Sequence, residues 1–242
     1  MPTAYFLVTH GSRSPRSFAQ LQELVTLAKK ENPNKLISGG CLEGLDISLS
    51  EQLGEFGRIA FSEGCSQINV IPIFLLPGVH VCQDLPEQVD LAEQNFIHSS
   101  INLKFHLTDY FGNHPKIQHF LTEQFLDFPD HGRIIIGHGS KLPGGNLNFE
   151  NLAAKLNAIP AYWSISPSLE QQISSLNNQN INQICVVPYF LFAGGITEAI
   201  ANQISTYPNI KLTNLPFTPL QIAQMSLENL IYPNFKAAQV EQ

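Results

Sequence analysis

The chain has 242 residues, 43% of them hydrophobic, with 13 basic against 20 acidic side chains and a net charge of -7. The apolar share is ample for a packed core, and the acidic balance argues against nucleic acid or an anionic membrane as a partner. The 4 cysteines show no paired spacing, which fits a reducing compartment and argues against a zinc ribbon or an iron–sulfur cluster.

From the N-terminus, Met1-Pro2-Thr3-Ala4-Tyr5 leads directly into an apolar run. It has neither a basic leader nor a cleavage site, so a cytoplasmic location is expected. Strands in the first half read as residues 4–9, 36–41, 67–73 and 101–106. Between them Phe18, Leu21, Leu24, Val25 and Ala28 recur at helical spacing, as do Leu49, Leu53, Phe56 and Ala60. A third helix is expected to follow Pro86, a residue suited to a first helical turn, with 81–86 as a loop. His114-Pro115 reads as the opening of the last helix of this half, which keeps His114 out of any site.

The second half repeats the order. Its strands read as 133–137, 158–163, 183–188 and 211–215, with Pro160 marking the second as an edge strand or a strand start. Helices are expected over 148–156, 168–176, 197–206 and 220–231. Strand–helix alternation of this kind builds parallel sheets. The join, Asp127-Phe128-Pro129-Asp130-His131-Gly132, is short and polar. The expectation is therefore two similar doubly wound α/β domains, residues 1–127 and 128–242, with a cleft between them.

The repeat is visible in the residues themselves. Leu7-Val8-Thr9-His10-Gly11-Ser12 is echoed by Ile135-Ile136-Gly137-His138-Gly139-Ser140, and Val70-Ile71-Pro72-Ile73-Phe74-Leu75-Leu76 by Val186-Val187-Pro188-Tyr189-Phe190-Leu191-Phe192. The copies diverge just afterwards, where Pro77-Gly78-Val79-His80 faces Ala193-Gly194-Gly195-Ile196.

In open parallel sheets ligands bind beyond the carboxyl ends of the strands. His10, Glu43, His80 and His138 all fall at or just past such ends. Singly, each reads as an ordinary capping or solvated side chain. Together, two imidazoles and a carboxylate suit a divalent metal or proton transfer. Aligning Leu49 with Leu169 sets Trp163 opposite Glu43, so the second half lacks both Glu43 and His80. Gly39, Gly40 and Gly44 make the stretch around Glu43 read as flexible. Arg13, Arg16 and Lys141 flank the His-Gly-Ser turns and suit substrate carboxylates. Cys82, a lone thiol near His80, is weak evidence of a ligand. His98, His106, His119 and His131 have no motif around them.

These stretches resemble the sirohydrochlorin chelatases, class II chelatases, in their long duplicated form. The specific part is Phe74-Leu75-Leu76-Pro77-Gly78-Val79-His80 following Thr9-His10-Gly11-Ser12-Arg13. The resemblance implies insertion of Fe2+ or Co2+ into sirohydrochlorin, in sirohaem or cobalamin synthesis. It implies His10 and His80 as metal ligands, with Glu43 beside them in catalysis. Ser12, Arg13, Phe74 and Gly78 are expected as substrate contacts, and His138 is either a further contact lining the cleft or a relic held by packing. The metal is then a substrate, and no permanently bound cofactor is expected. A duplicated chain can build its site alone, so a monomer is expected. One rival is a non-catalytic tetrapyrrole or metal carrier. A histidine phosphatase is a weaker one, since Thr9 stands where such enzymes need an arginine.

Overall fold

A computed structural model describes residues 2–99 and 101–228. The described chain forms two compact units, one of residues 1–114 together with 219 onward, the other of residues 115–218.

Unit 1 is built on four parallel strands, β1 (Thr3–Gly11), β2 (Ile37–Glu43), β3 (Gln67–Pro72) and β4 (Lys104–Leu107), in the order β2-β1-β3-β4. Helices α1 (Pro15–Glu31), α2 (Leu49–Ser62) and α3 (Leu85–His98) connect them. In β1 alternate residues Ala4, Phe6 and Val8 join one core with Leu49, Leu53, Phe56 and Ala60 of α2 and Leu85, Val89, Ala92 and Phe96 of α3. Leu7 points the other way and is equally buried, as are Leu21, Leu24 and Ala28 of α1. A strand covered on both faces reads as an unbroken apolar run, which is why Phe6-Leu7-Val8 is continuous.

Unit 2 repeats the plan with β5 (Gly132–Gly137), β6 (Ile159–Tyr162), β7 (Ile184–Pro188) and β8 (Ile210–Leu212), ordered β6-β5-β7-β8. Helices α5 (Leu147–Lys155), α6 (Leu169–Asn178) and α7 (Gly195–Ile204) connect these strands. Its core gathers Ile134, Ile136, Leu169, Ile173, Val186, Ile200 and Ile204. Pro160 sits in β6, an edge strand, as its missing N–H requires.

The expected boundary at 127/128 differs from the observed division. Helix α4 (Ile117–Glu123) follows β4 in the chain yet belongs to unit 2, and α8 (Pro219–Glu228) follows β8 yet packs on α1 of unit 1. Gln224 of α8 also donates to Glu31 at the end of α1. Each final helix thus completes the other copy's unit. The expected helix 220–231 reaches past Glu228, so its last residues lie outside the described chain.

Two further expectations change. Residues 81–86 are not a loop: a π-helical turn, His80–Asp84, runs straight into α3, with Leu85 N–H donating to the His80 carbonyl. Gly39 and Gly40 are packing glycines, not flexible ones. A Cβ on Gly39 would press on Val25 and Leu21 of α1, and one on Gly40 on Phe6 and Gln52. Gln52 then clasps the neighbouring Cys41 through both its backbone N–H and its carbonyl.

Candidate metal centre

Unit 1 reverses its strand order between β1 and β3, so the crevice expected to hold a ligand lies at their carboxyl ends. His10 stands at the end of β1 and His80 just beyond β3. Glu43 ends β2, with Gly11 as its register partner across the β1–β2 pair. One ligand atom from each of His10, Glu43 and His80 lies within 4.8 Å of the other two. No other group of three or more His, Cys, Asp or Glu residues could hold a metal in this way among the described residues.

Gly11 makes this convergence possible. Its φ of 80° lies in the left-handed region, and a Cβ there would collide with the Glu43 carbonyl and the Cys41 side chain. Gly44 does the same on the other strand, at φ 90° against the backbone of Ser12.

The histidine rings meet edge to face, with centroids 4.5 Å apart and planes at 89°. Their Nε2 atoms approach to 3.1 Å. His10 Nδ1 faces the Gly11 carbonyl at 2.9 Å, and His80 Nδ1 faces the Asp84 carboxylate at 2.7 Å. Those acceptors assign the hydrogen of each neutral ring to Nδ1. Both Nε2 lone pairs then point into one space and repel unless an electrophile lies between them. With metal–nitrogen bonds of about 2.1 Å, a 3.1 Å separation corresponds to a nitrogen–metal–nitrogen angle of about 95°. That suits two neighbouring positions on one ion. Three protein donors fall short of the four of a closed structural site, so an ion held here would keep open positions.

The other expected residues fall around this centre in different ways. The Phe74 ring lies 6.4 Å from that of His10, centroid to centroid, and packs partly on the core. Gly78 caps the turn that carries His80, accepting from Val81 and Cys82 N–H. Ser12 accepts from Ser14 N–H and lines a small pocket with Thr9, Phe18 and Leu45. Arg13, Arg16 and Lys141 are exposed. Cys82 Sγ is directed at the Pro77 carbonyl, outside the three-ligand group, and desolvation pushes its thiol up. Burial likewise raises the Cys41 thiol, keeping it protonated and inert beside Glu43.

The CbiX family profile matches residues 4–127 and 132–220. The chain belongs to the CbiX family. The sirohydrochlorin ferrochelatase of Priestia megaterium is 23% identical over 214 residues, or 83% of this chain and 77% of that protein. The sirohydrochlorin cobaltochelatase of Methanocaldococcus jannaschii is 32% identical over 92 residues; the match spans 38% of this chain and 62% of that protein. Among solved structures, SirB from Bacillus subtilis with Fe3+ gives a TM-score of 0.80 at 18% identity, with 96% of each chain covered. At that identity the likeness speaks for the fold.

In the second copy of this CbiX chain, His138 keeps the local geometry of His10. Its Nδ1 faces the Gly139 carbonyl at 3.0 Å, and Gly139 has φ 86°. The register corrects the expected match for Glu43. Gly137 pairs with Tyr162 as Thr9 pairs with Cys41, so Glu43 corresponds to Ser164 and not to Trp163. The loop ahead of α6 is one residue shorter than that ahead of α2, which misled alignment from the helix. Ser164 Oγ donates to the His138 carbonyl instead of offering a carboxylate. Tyr162, where unit 1 has Cys41, is held neutral by burial and by its bond to Glu150.

Asp84 escaped the sequence reading. Its signal was present as His-x-x-x-Asp, one turn apart, but the stretch read as loop because Pro86 marked the expected helix start.

Proposed function

We propose that this protein is a sirohydrochlorin chelatase, inserting a divalent metal, Fe2+ or Co2+, into sirohydrochlorin, with its reacting groups in unit 1. The observation that carries this reading is the convergence of His10, Glu43 and His80 at the β1–β3 switch point. The named relatives support it, since both ferrochelatase and cobaltochelatase occur among them.

Insertion exchanges one dication for two pyrrole protons. His10 and His80 hold the incoming ion through Nε2, displacing part of its water. Glu43, the one anion of the trio, lowers the charge of the held ion and accepts the two pyrrole protons in turn, passing each to solvent, to which it is exposed. Holding must stay weak, because an ion trapped by a full ligand set could not move to the macrocycle. Phe74 offers an apolar edge beside His10 for a flat ring, with Gly78 admitting its close approach. Ser12, Arg13 and His138 serve the carboxylate-bearing substrate. The metal is consumed as substrate, and the chain works without a resident cofactor, as a cytoplasmic monomer. Among the described residues no helix is long and apolar enough to cross a membrane.

The test is anaerobic metallation of sirohydrochlorin followed by absorbance, with Fe2+ and Co2+ run separately, against a His10→Ala, His80→Ala double variant. Many turnovers for the wild type and the spontaneous rate for the variant are expected, and the faster metal indicates the pathway. Equal rates for both proteins and for buffer overturn the reading. Tight stoichiometric binding without turnover identifies a carrier.

A further inference from the structure

The two histidines of the centre are held by unlike partners. His10 Nδ1 meets a neutral backbone carbonyl, whereas His80 Nδ1 meets a carboxylate at 2.7 Å. Asp84 is fixed for this by the widened turn at 80–84, which places the residue four along within reach of His80. Such turns are uncommon and are frequent at functional sites, because each takes up one extra residue. The second copy lacks it: α7 opens with an ordinary turn, Glu198 N–H on the Gly194 carbonyl. Buried Leu85 and Val89 match buried Ile200 and Ile204 one residue out of step with the Gly78–Gly194 pairing, as one inserted residue requires. The wide turn, the histidine and the aspartate therefore occur together in the copy that gathers the metal ligands.

Stability does not account for the pair. Both side chains are more than a third exposed, at 36% and 39%, and open ion pairs of this kind add little to folding. A carboxylate behind a ligating imidazole has a different effect. It fixes the ring and its tautomer and makes the far nitrogen a stronger donor.

We propose that Asp84 is a positioning residue that makes His80 the anchoring ligand of the centre and leaves His10 the labile one. The inference rests on the reading that this centre holds the ion to be inserted. It gives delivery a direction: the bond to His10, backed only by a neutral carbonyl, opens first, while His80 keeps the ion until the macrocycle has taken it.

The experiment is Co2+ titration of the full chain, read by visible absorption of the bound ion, for wild type, Asp84→Asn, Asp84→Glu, His10→Ala, His80→Ala and the double histidine variant. Thermal melts confirm that each variant is folded. Asp84→Asn keeps the size of the side chain and removes its charge. A loss of about tenfold to a hundredfold in Co2+ affinity is expected, the usual effect of removing a partner behind a ligand. Asp84→Glu restores part of it, and His80→Ala weakens binding more than His10→Ala. In turnover, Asp84→Asn raises the KM for the metal and leaves that for sirohydrochlorin unchanged. If the wild type binds Co2+ and loses it in the double variant, yet Asp84→Asn binds within about twofold of wild type, the inference is wrong and the centre stands. Equal losses in the two single histidine variants overturn the ranking. If the double variant binds as wild type does, the reading of the centre fails and this inference with it.

Discussion

Units 1 and 2 share a strand order, a strand-end His-Gly-Ser turn and a left-handed glycine after the histidine. Only unit 1 assembles a three-ligand group from them. His10 and His138 have the same local bond to the following carbonyl, at 2.9 and 3.0 Å, so a strand-end histidine alone does not make a centre. The difference lies in what the adjoining strand and helix supply. In unit 1, β2 ends in a carboxylate and the turn after β3 carries His80 backed by Asp84. In unit 2, the residue past β6 that matches Glu43 is Ser164, and Gly195-Ile196 stands where unit 1 has Val79-His80. The duplicated sheet is a scaffold that positions a ligand in either copy, and a few residues at the strand ends decide whether chemistry occurs there.

Exchange of residues between the copies breaks this comparison most directly. Glu43→Ser installs the second copy's residue in the first. A fall of about a hundredfold to ten-thousandfold in metallation rate is expected, the range for losing a proton-transferring side chain. His138→Ala removes instead the second copy's counterpart of His10. It is expected to leave Co2+ affinity unchanged and to raise the KM for sirohydrochlorin severalfold, in keeping with one hydrogen bond of about 1 kcal/mol. Loss of metal binding in His138→Ala would show that unit 2 supplies a ligand after all.

The glycines test the scaffold itself. Gly11→Ala and Gly139→Ala both force a side chain into the left-handed region and should each cost about 1–3 kcal/mol, read from chemical denaturation. Their effects on activity should part. At Gly11 the new Cβ drives against the Glu43 carbonyl and shifts a ligand, so metallation falls well beyond the loss of folded protein. At Gly139 it meets Ile165 and Tyr162, and turnover per folded molecule should hold.

Much of this was legible in the chain. The eight strands and the trio His10, Glu43 and His80 follow from apolar runs, from strand ends, and from the internal echo. Four features were not. The exchange of α4 and α8 escaped because an amphipathic helix shows that it packs, not on which sheet. Asp84 escaped because a π turn departs from the 3.6-residue period on which helix reading depends. Gly39 and Gly40 read as flexible because the pressure against them comes from Val25, Leu21, Gln52 and Phe6, distant in sequence. Ser164 escaped for a related reason: loop length, unlike register, cannot be counted from a helix cap.

The smallest expected difference sits at those caps. Helices α2 and α6 open alike, with Ser48 and Ser168 accepting from the backbone of the third helical residue. That residue reaches back in both, Glu51 to Ser48 N–H at 2.7 Å and Gln171 to Ser168 N–H at 2.8 Å. Ser168→Ala should cost about 1 kcal/mol at any moderate pH, since nothing in its cap titrates near neutrality. Ser48→Ala should behave differently in acid. The Ser48 hydroxyl, and then its backbone N–H, hold the Glu51 carboxyl below the usual carboxylate range. A depressed folded value means that its contribution is present above the ordinary glutamate range and is lost as pH falls through the lowered one. The destabilisation by Ser48→Ala should therefore shrink below about pH 4, and by more than that of Ser168→Ala, whose hydroxyl also meets a carboxylate, Glu170 at 3.0 Å, but whose backbone N–H is closed by the uncharged Gln171. Urea titrations of both variants at neutral and acid pH check this, and parallel curves at every pH would mean that the Glu51 bond contributes nothing to the first cap.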